Sequence, residues 1–365
     1  MPTAVRAADL QRDRDALIEF LALHLNPAAD ANRFDWLYLQ NPHGPARCWV
    51  STDAPNGKIV GASTIFPRRM LRGDGAIRGC VFGDFCIHPD YRSLGPAVQL
   101  QRATLAGMQD AGFEFGYDFP SASMLGVYHR LGIRPQDLFV RMAKPLRADR
   151  QIGARVKSRI AARGASAVAN AVLSSRDVLL RQSGIAEIEL HEGPCGEEFT
   201  ALAKRVGESL GNCIERSADY LNWRFMKHPH QTYEMLTAHA DGTLAGYLIA
   251  GSEETGARIV DWFGAAPESV TKTSVTKASA AKASLANAKA AEQVRRDLMI
   301  AAINHLREMD FETISFPLLA SSPWLRELEG LGFRGRESRP VMMIEGPGAA
   351  AASGSWLLFD GDRES

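Results

Sequence analysis

A short segment near residue 90 has the residue order of a phosphate-binding loop. The stretch from Asp84 to Ala97 reads D-F-C-I-H-P-D-Y-R-S-L-G-P-A: an apolar run, a proline-containing turn, an Arg-x-x-Gly-x-Ala segment and then a helical pattern. This order gathers backbone N–H groups at a helix N-terminus, where negative charge is favoured. Gly95 lets the backbone approach an anion closely. The segment therefore predicts a site for the phosphate or pyrophosphate of a cofactor.

Two better-known phosphate-binding loops do not account for this segment. A Walker loop requires G-x-x-x-x-G-K-[ST], and a dinucleotide fingerprint requires G-x-G-x-x-G after the first strand. The chain has no Walker loop, and it has no dinucleotide fingerprint in that position. Residues 92–97 instead fit R-x-x-G-x-[GA] between a strand and a long helix. Pro96 donates no N–H, which is harmless in a first helical turn but leaves one donor fewer for the anion.

The elements around this loop alternate between strand and helix patterns. The periodicity of apolar residues and the Pro and Gly positions predict the order of elements. Helices are predicted at 10–25, 97–110 and 124–131, and strands at 48–51, 58–66, 79–87, 113–119 and 138–142. This α/β succession of about 145 residues is the size of one domain.

The loop, the strand F-G-D-F-C-I before it and the later V-Y-H-R-L-G-I together resemble the GNAT superfamily of acyl-CoA-dependent N-acyltransferases. The resemblance covers roughly residues 1–146. It implies that the loop binds the CoA pyrophosphate and that the preceding strand splays from its neighbour, so that free backbone groups near Phe85 and Ile87 hold the pantetheine arm. Ser121 or Ser123 would replace an asparagine that many relatives have there. The implied acyl-CoA site consists of Phe85, Cys86, Ile87, Arg92, Ser93, Leu94, Gly95, Pro96, Ala97 and Ser121.

The resemblance also implies catalytic residues. Tyr128 lies where the family often has a general acid, and a hydroxyl near the departing thiolate could protonate or stabilise it. The alternative is that Tyr128 only packs its helix on the sheet. Asp84 is the first candidate for the general base, with His88 and Asp118 as further candidates. Asp84 could instead bind the acceptor ammonium, and His88 could only cap a turn.

The second half of the chain repeats parts of the first. Trp36 precedes Pro42 by six positions and Trp223 precedes Pro229 by six, within similar aromatic segments. The motif L-G-I at 131–133 returns as L-G-F at 331–333. We therefore predict an α/β fold with two GNAT-like domains in tandem, each a mixed, mostly antiparallel central sheet flanked by helices. The predicted parts are a domain at 1–146, a basic helical linker at 147–184, a second domain at 185–346 with a low-complexity insert at 270–291, and a tail at 347–365.

The second copy lacks the chemical signature. No R-x-x-G-x-[GA] follows its strand R-I-V-D-W-F-G, and Leu328 stands at the position of Tyr128. We expect this copy to be degenerate and non-catalytic. It could shape the acceptor site, and its candidate contacts are Asp261, Trp262, Trp223 and Arg224. For the tryptophans, packing in the core is the favoured interpretation.

Composition limits the classes of protein. Lys plus Arg and Asp plus Glu both number 42, which argues against a general nucleic-acid binder. Five scattered cysteines without C-x-x-C spacing indicate reduced thiols, with neither disulfides nor a metal site. The sequence shows no apolar leader and no membrane span. We expect a soluble, cytoplasmic protein. The basic linker is either a solvated connector or a surface for an anionic acceptor or for lipid headgroups.

Together these observations predict an N-acetyltransferase that moves an acetyl group from acetyl-CoA to a primary amine of a small molecule or amino sugar. Two other functions stay open. One is a non-catalytic CoA-binding sensor or assembly protein, which would also keep the loop. The other is an aminoacyl-transferase-like tandem GNAT enzyme, although such enzymes generally lack an intact CoA loop.

Overall fold

The computed structural model describes residues 3–72, 75–180, 184–210, 212–254, 256–265, 277–346 and 356–364. Much of the predicted insert and tail, at 270–276 and 347–355, lies outside the described residues. The strands are β1 Thr3–Ala7, β2 Arg47–Asp53, β3 Ile59–Arg72, β4 Gly75–Ile87, β5 Phe115–Asp118, β6 Asp137–Pro145, β7 Glu187–Leu190, β8 Asn212–Ile214, β9 Tyr233–Ala240, β10 Thr243–Ser252, β11 Gly256–Gly264, β12 Thr313–Leu319 and β13 Arg334–Glu345. The α-helices are α1 Arg14–His24, α2 Ala31–Phe34, α3 Leu94–Asp110, α4 Ala122–Arg130, α5 Asp149–Arg155, α6 Arg159–Leu180, α7 Glu197–Leu210, α8 Ala218–Leu221, α9 Lys277–Glu308 and α10 Leu325–Gly330.

The elements of the first half recur in the second in the same order. Each half has a strand, a helix, a short helix, three antiparallel strands, a long helix, a strand, a short helix and a last strand; β8 is an addition in the second half. The short helices α2 and α8 both continue into a π-helical turn, at Asp35–Leu39 and Asn222–Met226. These turns are 222 − 35 = 187 residues apart, which is the spacing of Trp36 and Trp223. The recurrence supports the interpretation of two repeats.

One continuous sheet runs through both halves. Its strand order is β1-β2-β3-β4-β5-β13-β6-β12-β11-β10-β9-β7, with β8 paired to β3. Among the named strands of the described residues, only the pairs β4–β5 and β11–β12 are parallel, so the predicted mixed, mostly antiparallel sheet with flanking helices is confirmed. The last strands of the halves are exchanged, because β13 pairs with β5 and β6 pairs with β12. This exchange covers sheet edges that two separate domains would have left open.

The parallel pair β4–β5 opens into a cleft. The two strands pair only where Gly79–Val81 face Phe115–Tyr117, and β4 then continues to Ile87 beside β3 alone. A β-bulge lies in this last part of β4, where the register shifts between Ala62 and Thr64 of β3. Asp84 lies in the bulge with φ +47°, and bulges turn side chains in new directions. The fold thus places the segment before the predicted phosphate loop at an opening in the sheet.

The described part of the tail packs against both halves of the chain. Trp356 stacks on Phe115 at a ring-centroid distance of 4.1 Å, and Leu357 N–H donates to Asn212 O. The Asp362 carboxylate accepts two hydrogen bonds from Arg216 at 2.9 and 2.8 Å. Because Phe115 belongs to the first half and Arg216 to the second, the tail joins both.

The predicted linker is helical. It contains α5 and α6, and Asp177 near the end of α6 is buried between Lys144 and Arg307, to which it is ion-paired. The outer side of α6 exposes apolar side chains such as Ile160 and Val168. The linker is therefore anchored at its carboxyl end and solvated along the rest of its outer face.

Candidate functional site

The predicted loop follows β4 as a tight turn. His88 begins it, and its Nδ1 accepts a hydrogen bond from the Asp90 N–H at 3.2 Å. A 3₁₀ turn at Pro89–Tyr91 follows, and the Arg92 side chain folds back to donate from Nε to Ile87 O at 3.1 Å. The predicted order of strand, turn and helix is present. In this turn His88 acts as a cap, and it is not among the residues that line the adjacent cavity.

The N-terminus of α3 is open to a ligand. Ser93 is extended, and its side chain makes no capping hydrogen bond to the first turn of the 17-residue helix. A Cβ added at Gly95 would meet no atom within 4 Å, so the first turn faces open space. Pro96 lies inside that turn, where its missing N–H costs nothing. Ala97 is nearly buried and packs beneath it. The first turn of α3 therefore offers backbone N–H groups to an anion.

The last residues of β4 supply a second row of backbone groups. Cys86 pairs with Ala62, and the His88 N–H donates to Val60 O, so alternate residues of β4 bond to β3. The backbone of Phe85 and Ile87 consequently points to the other side, into the opening. The Ile87 carbonyl is taken by Arg92. The Cys86 thiol is buried, and this burial raises its pKa, so that it stays a thiol.

A cavity of about 390 Å³ lies in the opening between β4 and β5. Its walls combine apolar rings with three carboxylates, and they include residues at the N-terminus of α4. The lining residues are Leu25, Asn26, Arg33, Ser63, Phe82, Gly83, Asp84, Phe85, Gln101, Asp118, Phe119, Pro120, Ser121, Ser123, Met124, Arg363 and Glu364.

Tyr128 is buried behind the wall of this cavity and is hydrogen-bonded to two of its lining residues, Asp118 and Gln101. Its hydroxyl donates to Asp118 Oδ2 at 2.7 Å and accepts from Gln101 Nε2 at 3.1 Å. Burial raises the pKa of Tyr128 well above its ordinary value, and the Asp118 charge raises it further. Burial raises the pKa of Asp118 to about 7, although the Tyr128 hydrogen bond opposes the shift. The pair thus joins a protonated hydroxyl to a carboxyl that titrates near neutral pH.

Asp84 lies at the cavity, but both of its oxygens are engaged. Arg33 donates to each oxygen at 2.8 Å, and the Tyr38 hydroxyl donates to Oδ2 at 2.7 Å. The Asp84 charge raises the pKa of Arg33, against the effect of burial. Three donors from the fold thus surround this carboxylate. Asp84 is therefore better suited to fixing the strand bulge than to taking a proton.

Ser121 and Ser123 both line the cavity, and the resemblance implies that one of them contacts the cofactor arm. Ser121 Oγ accepts from the Met124 N–H at 3.3 Å and so caps α4. The two hydroxyls are 2.9 Å apart and hydrogen-bonded to each other. Either hydroxyl can still donate or accept one more hydrogen bond.

Glu364 is a cavity residue that the sequence analysis missed. Its side chain lies so close to β4 that a Cβ at Gly83 would come within 2.5 Å of its Cγ. Its Oε2 has no hydrogen-bond partner in the described part of the chain. Burial raises the pKa of Glu364, while Arg363 lowers it. No local pattern could have found this residue, because it is 364 − 84 = 280 positions from Asp84 in the chain.

The corresponding opening of the second half is filled by side chains. The parallel strands β11 and β12 pair only over Gly256–Arg258 and then diverge. Trp262, Trp324 and Phe359 of the tail occupy the space, with ring centroids 5.6 Å apart in each successive pair. The tail also forms a bridge from Phe359 to Leu318. In place of a cavity like the first, this half has a packed aromatic core.

None of the four acceptor contacts considered for the second half lies at the cavity beside Tyr128. Trp223 and Trp262 are buried in the core, as the favoured interpretation had it. Asp261 is buried in an ion pair with Arg216 at 3.1 Å. Arg224 is buried and donates to Gly361 O at 2.8 Å. Their burial follows from the exchanged sheet and the docked tail, which cover the face on which these residues lie.

Two further features concern ligands and membranes. Among the described residues, no group of three or more His, Cys, Asp or Glu is arranged to hold a metal ion. No helix in the same part of the chain is long and apolar enough to cross a membrane.

Comparison with known proteins agrees with this geometry. The model of a family described as an acetyltransferase (GNAT) domain matches residues 12–135. That part of the chain is a GNAT domain. The matched residues include the loop, the cavity walls of the first half and Tyr128, and the match supports an acyltransferase. No curated protein sequence matches the chain.

Solved structures share the fold of the GNAT domain and of the half that follows it. A probable N-acyltransferase from Enterococcus faecalis V583 superposes with a TM-score of 0.62 at 11% identity, over 94% of this chain and 72% of that one. A GCN5-related N-acetyltransferase from Anabaena variabilis gives 0.62 at 14%, over 94% and 72%. N-myristoyltransferase from Saccharomyces cerevisiae, with bound myristoyl-CoA, gives 0.56 at 10%, over 94% and 84%. At these identities the likeness establishes the fold.

Proposed function

We propose that the GNAT domain transfers an acetyl group from acetyl-CoA to a primary amine of a small molecule or amino sugar. The observation that carries the proposal is the juxtaposition of three parts. These are the uncapped N-terminus of α3, the β4 edge at Phe85 and Ile87 that does not bond to β3, and the Asp118–Tyr128 pair beside the cavity between β4 and β5.

The residues at the opening fit acyl-CoA. The first turn of α3, from Leu94 to Ala97, would hold the pyrophosphate, with Arg92 and Ser93 beside it. The β4 edge would hold the amide groups of the pantetheine arm. The acyl-CoA supplies a thioester whose carbonyl carbon is attacked and whose sulfur leaves as a thiolate. The apolar rings of Phe82 and Phe119 exclude water from the reacting groups.

We assign Tyr128 as the general acid. Its raised pKa keeps the hydroxyl protonated at neutral pH, so that a proton is available for the leaving sulfur. Gln101 and Asp118 fix the direction of the hydroxyl. A tyrosine that only packed its helix would not need two hydrogen-bond partners in a buried site, since an apolar residue would pack as well.

We assign Asp118 as the proton acceptor. A new C–N bond leaves a positive charge on the nitrogen, and the amide forms when that nitrogen loses a proton and the C–S bond breaks. Asp118 accepts the nitrogen proton, Tyr128 gives its own proton to the sulfur, and Asp118 returns a proton to Tyr128 through their 2.7 Å hydrogen bond. One proton has moved from nitrogen to sulfur, and both side chains regain their starting state. A carboxyl with a pKa near 7 is well matched to this exchange.

Glu364 is suited to binding the acceptor. The Glu364 carboxylate can attract an ammonium group, and its unpaired Oε2 leaves a position for one N–H donor. We propose that it holds the acceptor nitrogen before the transfer. This explains why the tail is folded into the GNAT domain.

We propose that the second repeat does not catalyse. Leu328 replaces the tyrosine, and Trp262, Trp324 and Phe359 fill the opening that the cofactor would need. The proposed boundaries remain 1–146 and 185–346. We place the protein in the cytoplasm because its five cysteines are all free and buried.

The test is a calorimetric titration of acetyl-CoA into the wild type and into Gly95→Glu. The substitution adds bulk and negative charge in the open space before α3, and we expect one equivalent of binding in the wild type and none in the variant. Gly164→Glu is the matched control, because Gly164 also faces open space on a helix, far along the linker. Two equivalents would contradict the degenerate second half, and no binding by the wild type would overturn the proposal.

The two alternatives have distinct signatures. A CoA-binding sensor would bind acetyl-CoA yet transfer nothing to any amine in a broad screen. An aminoacyl-transferase-like enzyme would use aminoacyl-tRNA and would not need the intact loop at residues 92–97. The open loop beside a tyrosine–carboxylate pair favours transfer from acyl-CoA over both.

A further inference from the structure

Arg68 is a buried cation with an empty hydrogen-bonding edge. It lies on β3 with 1% of its surface exposed. Its Nη1 donates to Pro67 O at 3.0 Å, whereas its Nε and Nη2 make no geometrically complete hydrogen bond; the nearby Tyr117 hydroxyl donates to Asp362 O instead. The N–H bonds of Nε and Nη2 are parallel, and they form an edge by which a guanidinium holds a carboxylate or phosphate with two hydrogen bonds.

The position of the Arg68 guanidinium is fixed by its surroundings. Its central carbon lies 6.0 Å from the Tyr220 ring and 5.5 Å from the Trp223 ring. Asp362 lies in the same region, but both of its oxygens accept from Arg216. Among the ion pairs of the described residues, none includes Arg68. An unpaired buried charge is costly, and a native structure is expected to compensate it.

Two more side chains beside Arg68 have unused polar atoms. His43 stacks on Tyr220 at a centroid distance of 4.9 Å and an angle of 8°. Both ring nitrogens of His43 and the Tyr220 hydroxyl are buried without hydrogen-bond partners. Burial, assisted by Arg68 and Arg69, lowers the pKa of His43 to about 3, so the ring is neutral at pH 7. Unpaired buried polar atoms are rare, and a cluster of them marks a place for water or a ligand.

A cavity of about 530 Å³ lies at the seam between the two halves, and Tyr220 is stacked on one of its lining residues, His43. His43 and Arg68 line it from the first half, and Thr200 and Ser217 line it from the second. The cavity shares no lining residue with the cavity beside Tyr128. At the rim, Arg69 is paired with Glu215 at 3.2 Å. The seam cavity is therefore a separate site, and its lining carries three arginines and the three carboxylates of Glu197, Glu215 and Asp219.

We propose that the seam cavity binds the carboxylate or phosphate group of a small molecule, held by the Nε–Nη2 edge of Arg68. Tyr220 donates its hydroxyl to the same group, and His43 donates or accepts according to its tautomer. Residues from both halves meet there, so an occupied site would hold β3 of the GNAT domain against α7 and α8. This inference does not rest on the proposed acetyl transfer.

The test is calorimetry on the full chain bearing Gly95→Glu, which removes the N-terminus of α3 as a competing anion site. Inorganic phosphate and succinate are titrated separately. We expect one equivalent of at least one of the two anions to bind. Binding of phosphate alone indicates that the natural ligand is a phosphate ester, and binding of succinate alone indicates that it is a carboxylic acid. Arg68→Lys keeps the charge but loses the parallel donors, so binding should weaken about tenfold or more.

The control variant is Arg69→Gln, since Arg69 also lines the cavity. Its affinity for the anion should lie within about twofold of the parent's, because the Arg69 side chain is solvated. If Arg68→Lys does not fold, His43→Gln takes its place and should also weaken binding. The proposal is overturned if neither anion binds, or if the folded variant of Arg68 or His43 binds as tightly as the parent.

Discussion

Trp36 and Trp223 form a reciprocal pair across the two halves. The indole Nε1–H of Trp36 donates to the Trp223 carbonyl at 2.8 Å, and that of Trp223 donates to the Trp36 carbonyl at 2.9 Å. Their rings are stacked with centroids 5.0 Å apart. Equivalent positions of two repeats thus make the same contact in both directions, as residues do across a twofold axis. The pair ties the first π-helical turn to the second.

This reciprocity predicts a measurable coupling. Trp36→Phe or Trp223→Phe removes one indole donor and leaves a buried carbonyl unpaired, which should cost about 1–3 kcal/mol of unfolding free energy. Because the rings also touch, the double variant should cost less than the sum, with a coupling of about 0.5–3 kcal/mol. Urea denaturation measures all four proteins. The control is the double variant of Trp49→Phe and Trp223→Phe, whose loss of unfolding free energy should equal the sum of the two single losses. The same additivity for Trp36→Phe and Trp223→Phe would contradict the reciprocal contact.

Tyr128→Phe should separate catalysis from binding. Loss of the hydroxyl removes the proposed acid, so kcat should fall about 10²- to 10⁴-fold, while acetyl-CoA affinity stays unchanged. Steady-state kinetics and calorimetry measure the two quantities. Tyr247→Phe makes the same deletion at a buried tyrosine of the second half and should leave kcat unaffected. Normal turnover by Tyr128→Phe would rule out the acid assignment.

The rate should depend on the ionisation of Asp118. Its carboxylate accepts the proton, and its pKa is about 7, so kcat/KM should rise with pH through that value and then level off. Asp118→Asn should remove this rise and lower the rate. The measurement is a pH–rate profile of both proteins between pH 5 and 9. If the pH–rate profile of Asp118→Asn matches that of the wild type, a group other than Asp118 is the proton acceptor.

Asp118 should also affect stability in a defined direction. Its pKa in the fold, about 7, is above the ordinary value of about 3.9. A raised carboxyl pKa means that the folded state binds the proton more tightly, so this stability is present at low pH and is lost as pH rises from about 4 to 7. Relative to the wild type, Asp118→Asn should therefore gain stability between pH 4 and pH 8. Denaturation at several pH values measures the difference, and the opposite trend would contradict the burial of an uncompensated charge.

Glu364→Gln tests the role of the tail in binding the acceptor. The amide cannot attract an ammonium group as a charge, so KM for the amine should rise about tenfold or more, with acetyl-CoA affinity unchanged. Steady-state kinetics with the amine varied gives KM. Glu308→Gln, at an exposed position near the end of α9, is the control and should have no effect. A fall in acetyl-CoA affinity instead would place Glu364 on the cofactor.

The pair of Arg33 and Asp84 should dominate the stability of the cavity wall. Arg33→Met leaves Asp84 buried without its cation, which should cost about 3–5 kcal/mol. Adding Asp84→Asn to that variant should restore part of the loss. Arg14→Met breaks the more exposed pair with Asp35 and should cost no more than about 1 kcal/mol. Urea denaturation distinguishes these outcomes, and equal costs for both arginines would contradict the buried pair.

Local sequence determined the first half of this protein well. The loop at 84–97 was predictable because a proline turn, a glycine and a helical pattern follow one another within a few residues, and short-range sterics govern such segments. Tyr128 and the repeat of Trp36 as Trp223 were also visible in the sequence. The strand β1 at Thr3–Ala7 was not predicted, because it is an edge strand with little apolar alternation.

Only the tertiary structure decided how the parts meet. No periodicity shows that β13 lies between β5 and β6, because strand order depends on which edges find each other in space. For the same reason the sequence could not show that Arg33 forms an ion pair with Asp84. It also could not show that Phe359 fills the opening between β11 and β12. The sequence also could not show that the Glu364 side chain lies against Gly83. These contacts join residues far apart in the chain, and their energies come from burial and pairing, which no local pattern of residues encodes.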